Sequence, residues 1–105
     1  MFDMSNLVKR YFPITLEDGR KLEIEPPKLK TLKKIAHLSK LTDGSELTEE
    51  DIESLSSAIS LALSKNKANV SISSDEVEDM FDINAMYDFL TKYFNWVSEI
   101  QNSKN

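Results

Sequence analysis

Between Leu47 and Asn66 the chain reads LTEEDIESLSSAISLALSKN, and this stretch limits the possible folds more than any other. At about 100° per residue, Ile52, Leu55, Ile59, Ala62 and Leu63 fall on one narrow face with Ala58 at its flank. That is the pattern of a helix with one buried stripe. Thr48 stands where an N-cap belongs, and Glu49, Glu50 and Asp51 fill the first turn, where negative charge complements the helix dipole. The other elements are therefore expected to pack around this helix.

A chain of 105 residues supports one core, so a single domain is expected: an N-terminal arm over 1–11, a β-hairpin over 12–25, a helical part over 28–101 and a frayed tail over 102–105. Hydrophobic residues at 40% and charged residues at 30% exclude wholesale disorder. The chain has no cysteine, which removes disulfide and thiol chemistry. No apolar run is long enough for a signal-peptide core or a membrane span, so the expected location is the cytoplasm. Without a secretory signal, Asn69-Val70-Ser71 is a chance match to a glycosylation acceptor.

Phe12, Ile14 and Leu16 alternate on one strand, and Leu22 and Ile24 on the next. Cross-strand partners share a face, so the turn decides the register. A two-residue Asp18-Gly19 loop would set Ile14 opposite Glu23, mixing apolar and polar faces. A three-residue loop of Glu17, Asp18 and Gly19 sets Ile14 opposite Leu22 and Phe12 opposite Ile24, with Gly19 in the left-handed position of a G1 bulge. The second register is the one expected.

Pro26-Pro27 ends the second strand. A helix follows from about Lys28 to Ser39, with Leu29, Leu32, Ile35 and Ala36 as its buried stripe and Lys30, Lys33, Lys34 and His37 on the opposite side. Leu41 to Glu46 is a loop. Lys67 to Ile72 is polar and reads equally as loop or short strand. Ser73 and Glu76 have capping-box spacing, so a short helix should carry Val77, Met80 and Phe81 inward. Asp82 then caps a last helix from about Ile83 to Gln101.

Little in the chain points to catalysis, and no enzyme activity, metal or cofactor is expected. A calcium loop centred on Asp43-Gly44 would require Leu41 as a ligand, which leucine cannot be. The single histidine, His37, lies on the lysine face without an expected carboxylate or hydroxyl partner. Ser64 and Lys67 share the spacing of some serine acylases, a spacing that recurs by chance. The two glycines of the chain cannot build a phosphate-cradling loop. Ser56, Ser57, Ser60 and Ser64 lie beside the stripe of the central helix and read as an ordinary exposed face, with a close helix contact as the alternative.

Charge divides the chain in two. Residues 1–40 carry nine Lys/Arg against five Asp/Glu, a balance of +4, and residues 41–105 carry four against thirteen, a balance of −9. The lysines between Lys28 and Lys40, above all Lys30, Lys33 and Lys34, form a candidate basic face. A solvated surface is the expected reading there, since net charge −5 opposes binding to nucleic acid.

In the last helix, Asn84, Asp88, Thr91, Lys92, Asn95, Ser98 and Glu99 occupy one compact sector. Ile83, Met86, Tyr87, Leu90, Phe94 and Val97 make an apolar stripe, with Ala85, Phe89, Tyr93, Trp96 and Ile100 as a second stripe beside it. Burial of each large ring stabilises by roughly 1.5–3 kcal/mol, so the second stripe needs a cover. Either Phe89, Tyr93, Trp96 and Ile100 face a partner or another copy of the chain, or the hairpin or N-terminal arm covers them. The first reading makes these four the candidate protein-interaction residues.

The run ITLEDGRKLEIEPPKLKTLKKI, with TEEDIESLSSAISLAL, SSDEVEDMFD and DINAMYDFL after it, resembles the tail assembly chaperones of long-tailed phages and prophages of Gram-positive bacteria. The similarity covers most of the chain from Phe12 onward and rests on the order of elements and a diffuse residue pattern, with no invariant catalytic motif. It implies a non-enzymatic protein of the infected or lysogenic host cytoplasm, missing from the mature virion. Such proteins bind the tape measure protein, keep it soluble, help recruit tail-tube subunits and self-associate, and many also exist in a frameshifted, extended form. The expected fold is α+β, predominantly α-helical, with the N-terminal hairpin packed on three to four helices. The expected mechanism is shielding of apolar client segments by the aromatic stripe. The alternative is a structural tail component, or a small regulatory or nucleic-acid-associated phage protein using the Lys28–Lys40 face.

Overall fold

The computed structural model describes residues 11–39 and 48–102. Two strands, β1 (Phe12–Thr15) and β2 (Lys21–Ile24), precede four helices: α1 (Leu29–Leu38), α2 (Glu49–Ser64), α3 (Ser74–Met80) and α4 (Ile83–Asn102). The fold is α+β and mostly helical, as expected. The expectations for the arm, for the Leu41–Glu46 loop with its rejected calcium reading, and for the terminal tail lie outside the described residues, except that Tyr11 places an aromatic ring 5.5 Å from Lys67 Nζ and that α4 takes in Asn102, the first residue of the expected tail.

β1 and β2 pair antiparallel with Phe12 opposite Ile24 and Ile14 opposite Leu22, the register that keeps apolar partners on one face. The Leu16 carbonyl accepts from Gly19 N–H at 2.9 Å, and Leu16 N–H donates to the Arg20 carbonyl at 2.8 Å. Gly19 has φ +95°, a conformation that costs glycine nothing and other residues a Cβ clash. Alternation of the ladder from this closing pair turns the backbone of Pro13 and Thr15 toward the outer edge of β1. Proline there gives up only an N–H that no strand among the described residues uses.

The opposite edge of β2 is occupied. Glu25 N–H donates to the Lys65 carbonyl and Lys67 N–H to the Glu23 carbonyl, both at 2.9 Å, with Asn66 bridged to Ile24. Asn66 is buried. Its amide donates to the Leu63 and Val70 carbonyls at 2.7 and 2.8 Å, and its carbonyl accepts from Val70 N–H at 2.9 Å. The segment after α2 is thus a turn, with Asn69 at φ 61°, and not a strand.

α2 packs against α1, α3, α4 and β2, the central place its stripe demands. Leu55, Ala58, Ile59, Ala62 and Leu63 are buried, while Ile52 sits half-buried at the stripe's end. Ile24, Ile35, Ile72, Val77, Met86 and Leu90 close the core around them. The expected cap at Thr48 forms, as a capping box with Asp51 on α2, and the expected capping box of Ser73 with Glu76 forms on α3. Asp82 Oδ1 accepts from Ala85 N–H at 2.8 Å to start α4.

Two expectations about faces are corrected. Leu29, placed in the stripe of α1, is 71% exposed, and Ala36 is exposed as well. α1 meets α2 through Ile35, with Leu32 and Leu38 half-buried, so its buried arc is turned away from Leu29. The serine side of α2 is not an exposed face: Ser56 is fully buried, and Ser57, Ser60 and Ser64 are half-buried. Ser60 Oγ donates to the Ile72 carbonyl at 2.6 Å, and Ser64 Oγ accepts from Ile72 N–H at 3.0 Å, which carries the chain from α2 to α3. Ser64 is therefore engaged structurally.

Candidate protein-interaction surfaces

Every member of the expected polar sector of α4, from Asn84 to Glu99, is exposed, so the two apolar stripes point where the helical wheel puts them. Met86, Leu90 and Val97 of the first stripe are buried against the core. The second stripe is covered from within the chain. Phe12 stacks on Trp96 with ring centroids 5.3 Å apart, and lies 6.0 Å from Phe89 and 6.3 Å from Tyr93. Phe81, at the end of α3, meets Phe89 edge-on at 6.1 Å. The rings of α4 also contact one another, with Phe89 and Tyr93 stacked at 5.6 Å.

Phe89 and Tyr93 are consequently 5% and 1% exposed, and the reading in which they form an open interface is corrected: the hairpin covers them. Burial pushes the Tyr93 phenol well above its ordinary value of 10.0. Trp96 is half-buried and keeps part of its indole at the surface. The side chain of Ile100 lies outside the described residues.

The cover is incomplete. Beside the capped rings runs a groove of about 480 Å³, lined by Phe12, Ile14 and Leu16 from the hairpin and by Met80, Phe81, Ala85 and Phe89 from α3 and α4. Its margin carries Glu17 and the Asp88–Lys92 ion pair, 3.1 Å long. The outer edge of β1 borders the same groove. The sequence pattern marked Phe12, Ile14, Met80 and Phe81 as inward-facing, but contained no sign that the two segments meet along an open seam.

Arg20 ties the turn of the hairpin to α3. Its guanidinium reaches Asp18 Oδ2 at 2.8 Å and Glu76 Oε2 at 3.3 Å. The Asp18 carboxyl is held below its ordinary value, first by the backbone N–H of Arg20 and then, against some desolvation, by the guanidinium. Glu76 is held low chiefly by the Ser73 backbone N–H of the capping box, again against some desolvation, with Arg20 adding to the effect.

The basic face is where the wheel put it: Lys30, Lys33, Lys34 and His37 are exposed on α1. Among the described residues the ion pairs use Arg20, Lys65, Lys67 and Lys92 as cations, and none uses a lysine of α1. No group of three or more His, Cys, Asp or Glu among the described residues is arranged to hold a metal. No helix among them is long and apolar enough to cross a membrane. Comparison with protein families, with curated proteins and with solved structures found no match.

Proposed function

We propose that this chain is a non-enzymatic phage tail assembly chaperone that binds the tape measure protein and keeps it soluble while the tail forms. The observation that carries the reading is the aromatic seam of α4, roofed by a two-stranded hairpin and left open along the Phe12–Phe81–Phe89 groove. Together with the resemblance from Phe12 onward, it supports a protein that offers apolar surface to a client without exposing a large patch of its own. The surface differs from the one expected from the wheel alone. The client's apolar side chains enter the groove beside Phe81 and Ala85 and meet Phe89 within it.

The acidic half of the chain keeps the complex soluble, since Glu49, Glu50 and Glu53 on α2 and Asp75, Glu78 and Asp79 on α3 are all exposed. The proposal places the protein in the host cytoplasm during assembly and away from the finished virion, with the tail-tube protein as a further partner. A second reading, a nucleic-acid-associated phage factor, draws on the exposed Lys30, Lys33 and Lys34.

Co-expression with the tape measure protein of the same phage tests the proposal. The client should move from the insoluble to the soluble fraction and co-purify with this chain. The variant Ala85→Arg, with unchanged far-UV circular dichroism, should lose that effect. A tape measure protein equally soluble with and without the wild-type chain would defeat the proposal, as would recovery of the chain as a stoichiometric component of purified virions.

A further inference from the structure

Away from the aromatic seam, the face where α1 meets α2 combines charge with apolar relief. Lys30 and Lys34, four residues apart, form one ridge of α1, and Lys34 stands with Leu38 along a crevice of about 360 Å³ between α1 and α2. Leu61, Ser57 and Ser60 line the α2 side. Leu38 and Leu61 are half-buried at the margin of the core, and both line this crevice. From Lys28 to Ser39 the sequence has no carboxylate, so the lysine ridge has no acidic neighbour on its own helix.

An occupant of this crevice has to satisfy two demands at once: apolar side chains to meet Leu38 and Leu61, and negative charge over Lys30 and Lys34. Nucleic acid meets the second and not the first, since its backbone offers no apolar side chain to set against Leu38 and Leu61. A helix with an apolar stripe bordered by Glu or Asp meets both. A furrow between two packed helices accepts the ridge of a third, and the small Ser57 and Ser60 on one wall allow its backbone to come close.

We propose that the α1–α2 crevice docks an acidic amphipathic helix of another protein, its apolar residues between Leu38 and Leu61 and its carboxylates over Lys30 and Lys34. The site lies apart from the groove beside Phe81, and the proposal stands whether or not the tail-assembly reading does.

The test uses the full chain and a fluorescein-labelled peptide of about 20 residues, long enough to form a helix, with leucines at i, i+3, i+4 and i+7 spacing flanked by glutamates. Its control has lysine in place of each glutamate. Fluorescence anisotropy should show binding of the acidic peptide alone, weakened by added salt and weakened about tenfold or more by the double substitution Lys30→Glu and Lys34→Glu. Leu61→Ser should weaken it as well. The lysine variant changes only exposed side chains and keeps the proposal open to refutation if Leu61→Ser fails to fold.

Equal binding of both peptides, no binding of either, or indifference to the lysine substitutions would overturn the proposal. Displacement of the acidic peptide by a single-stranded oligonucleotide would overturn it in favour of nucleic acid. A dimer of the chain alone that dissociates on Lys30→Glu and Lys34→Glu would overturn it in favour of a second copy.

Discussion

The ring of Phe12 lies nearly parallel to the indole of Trp96, with centroids 5.3 Å apart and planes inclined by 27°. One residue of β1 thereby contacts three rings of the C-terminal helix, Phe89, Tyr93 and Trp96. Removing it should both loosen the hairpin and wet the rings beneath. Phe12→Ala is expected to cost about 2–3 kcal/mol, the range for a large side chain that is only partly buried. Trp96 is the only tryptophan, so its emission reports on the stack directly. The variant should show a red-shifted maximum in the folded state and a lower urea midpoint. An unshifted maximum would mean that the stack does not form in solution.

Asn66 supplies three hydrogen bonds from a buried position. Asn66→Ala leaves the Val70 N–H and two carbonyls without that partner, at an expected cost of about 2 kcal/mol or more. The loss is local before it is global. Amide exchange at Val70, Glu25 and Lys67 should accelerate more than exchange at Ile59 in the middle of α2. Uniform acceleration would show that the turn and the core open together.

At Gly19, φ is +95° and an added Cβ would meet nothing within 4 Å beyond the adjoining residues of its own backbone. The cost of substitution is therefore purely conformational. Gly19→Ala should destabilise by about 1 kcal/mol, and Gly19→Asn by less, because asparagine tolerates the left-handed region better. Paired thermal unfolding of the two variants checks the order. A larger loss for Asn than for Ala would contradict it.

The depressed carboxyls of Asp18 and Glu76 make a signed prediction. A group with a lowered folded pKa contributes stability that is present above its unfolded value and is lost as pH falls through the folded one. The unfolded values are the ordinary 3.8 and 4.5, so both contributions are complete at neutral pH and fade on acidification from those values downward. Urea midpoints measured from pH 7 down to pH 3 should fall less steeply in Glu76→Gln than in the wild type. Parallel curves would remove Glu76 from the acid response.

Tyr93 gives the opposite limb. Its folded pKa lies above the unfolded one, so the folded state holds its proton longer and stability declines as pH rises beyond about 10. Absorbance titration near 295 nm should show one tyrosine that ionises only when the protein unfolds, and Tyr93→Phe should abolish that late step.

The parts of this fold that were legible in the sequence are those governed by near neighbours. Matching Ile14 with Leu22, and Phe12 with Ile24, needs only the parity of a strand and a glycine at the bulge. The caps at Thr48 and Ser73 need only residues three positions away. Rotation of α1 was not legible, because the arc from Ala36 and Leu29 through Leu32 to Ile35 is wider than one contact can bury, and α2 selects Ile35. Nor could α4 reveal its cover. The wheel shows that Phe89 and Tyr93 must be hidden, but Phe12 is distant in sequence and nothing local points to it. Asn66 left little trace either, since a polar residue after a helix commonly meets water. Its role exists only once β2 lies alongside Lys65–Lys67.

During synthesis the hairpin emerges early, and its two resting places emerge late. Lys65–Lys67 must appear before β2 gains its second neighbour, and α4 must appear before Phe12 has rings to lie on. A two-stranded ribbon is marginal by itself in water. The hairpin therefore completes its packing only after α4 has followed it out of the ribosome.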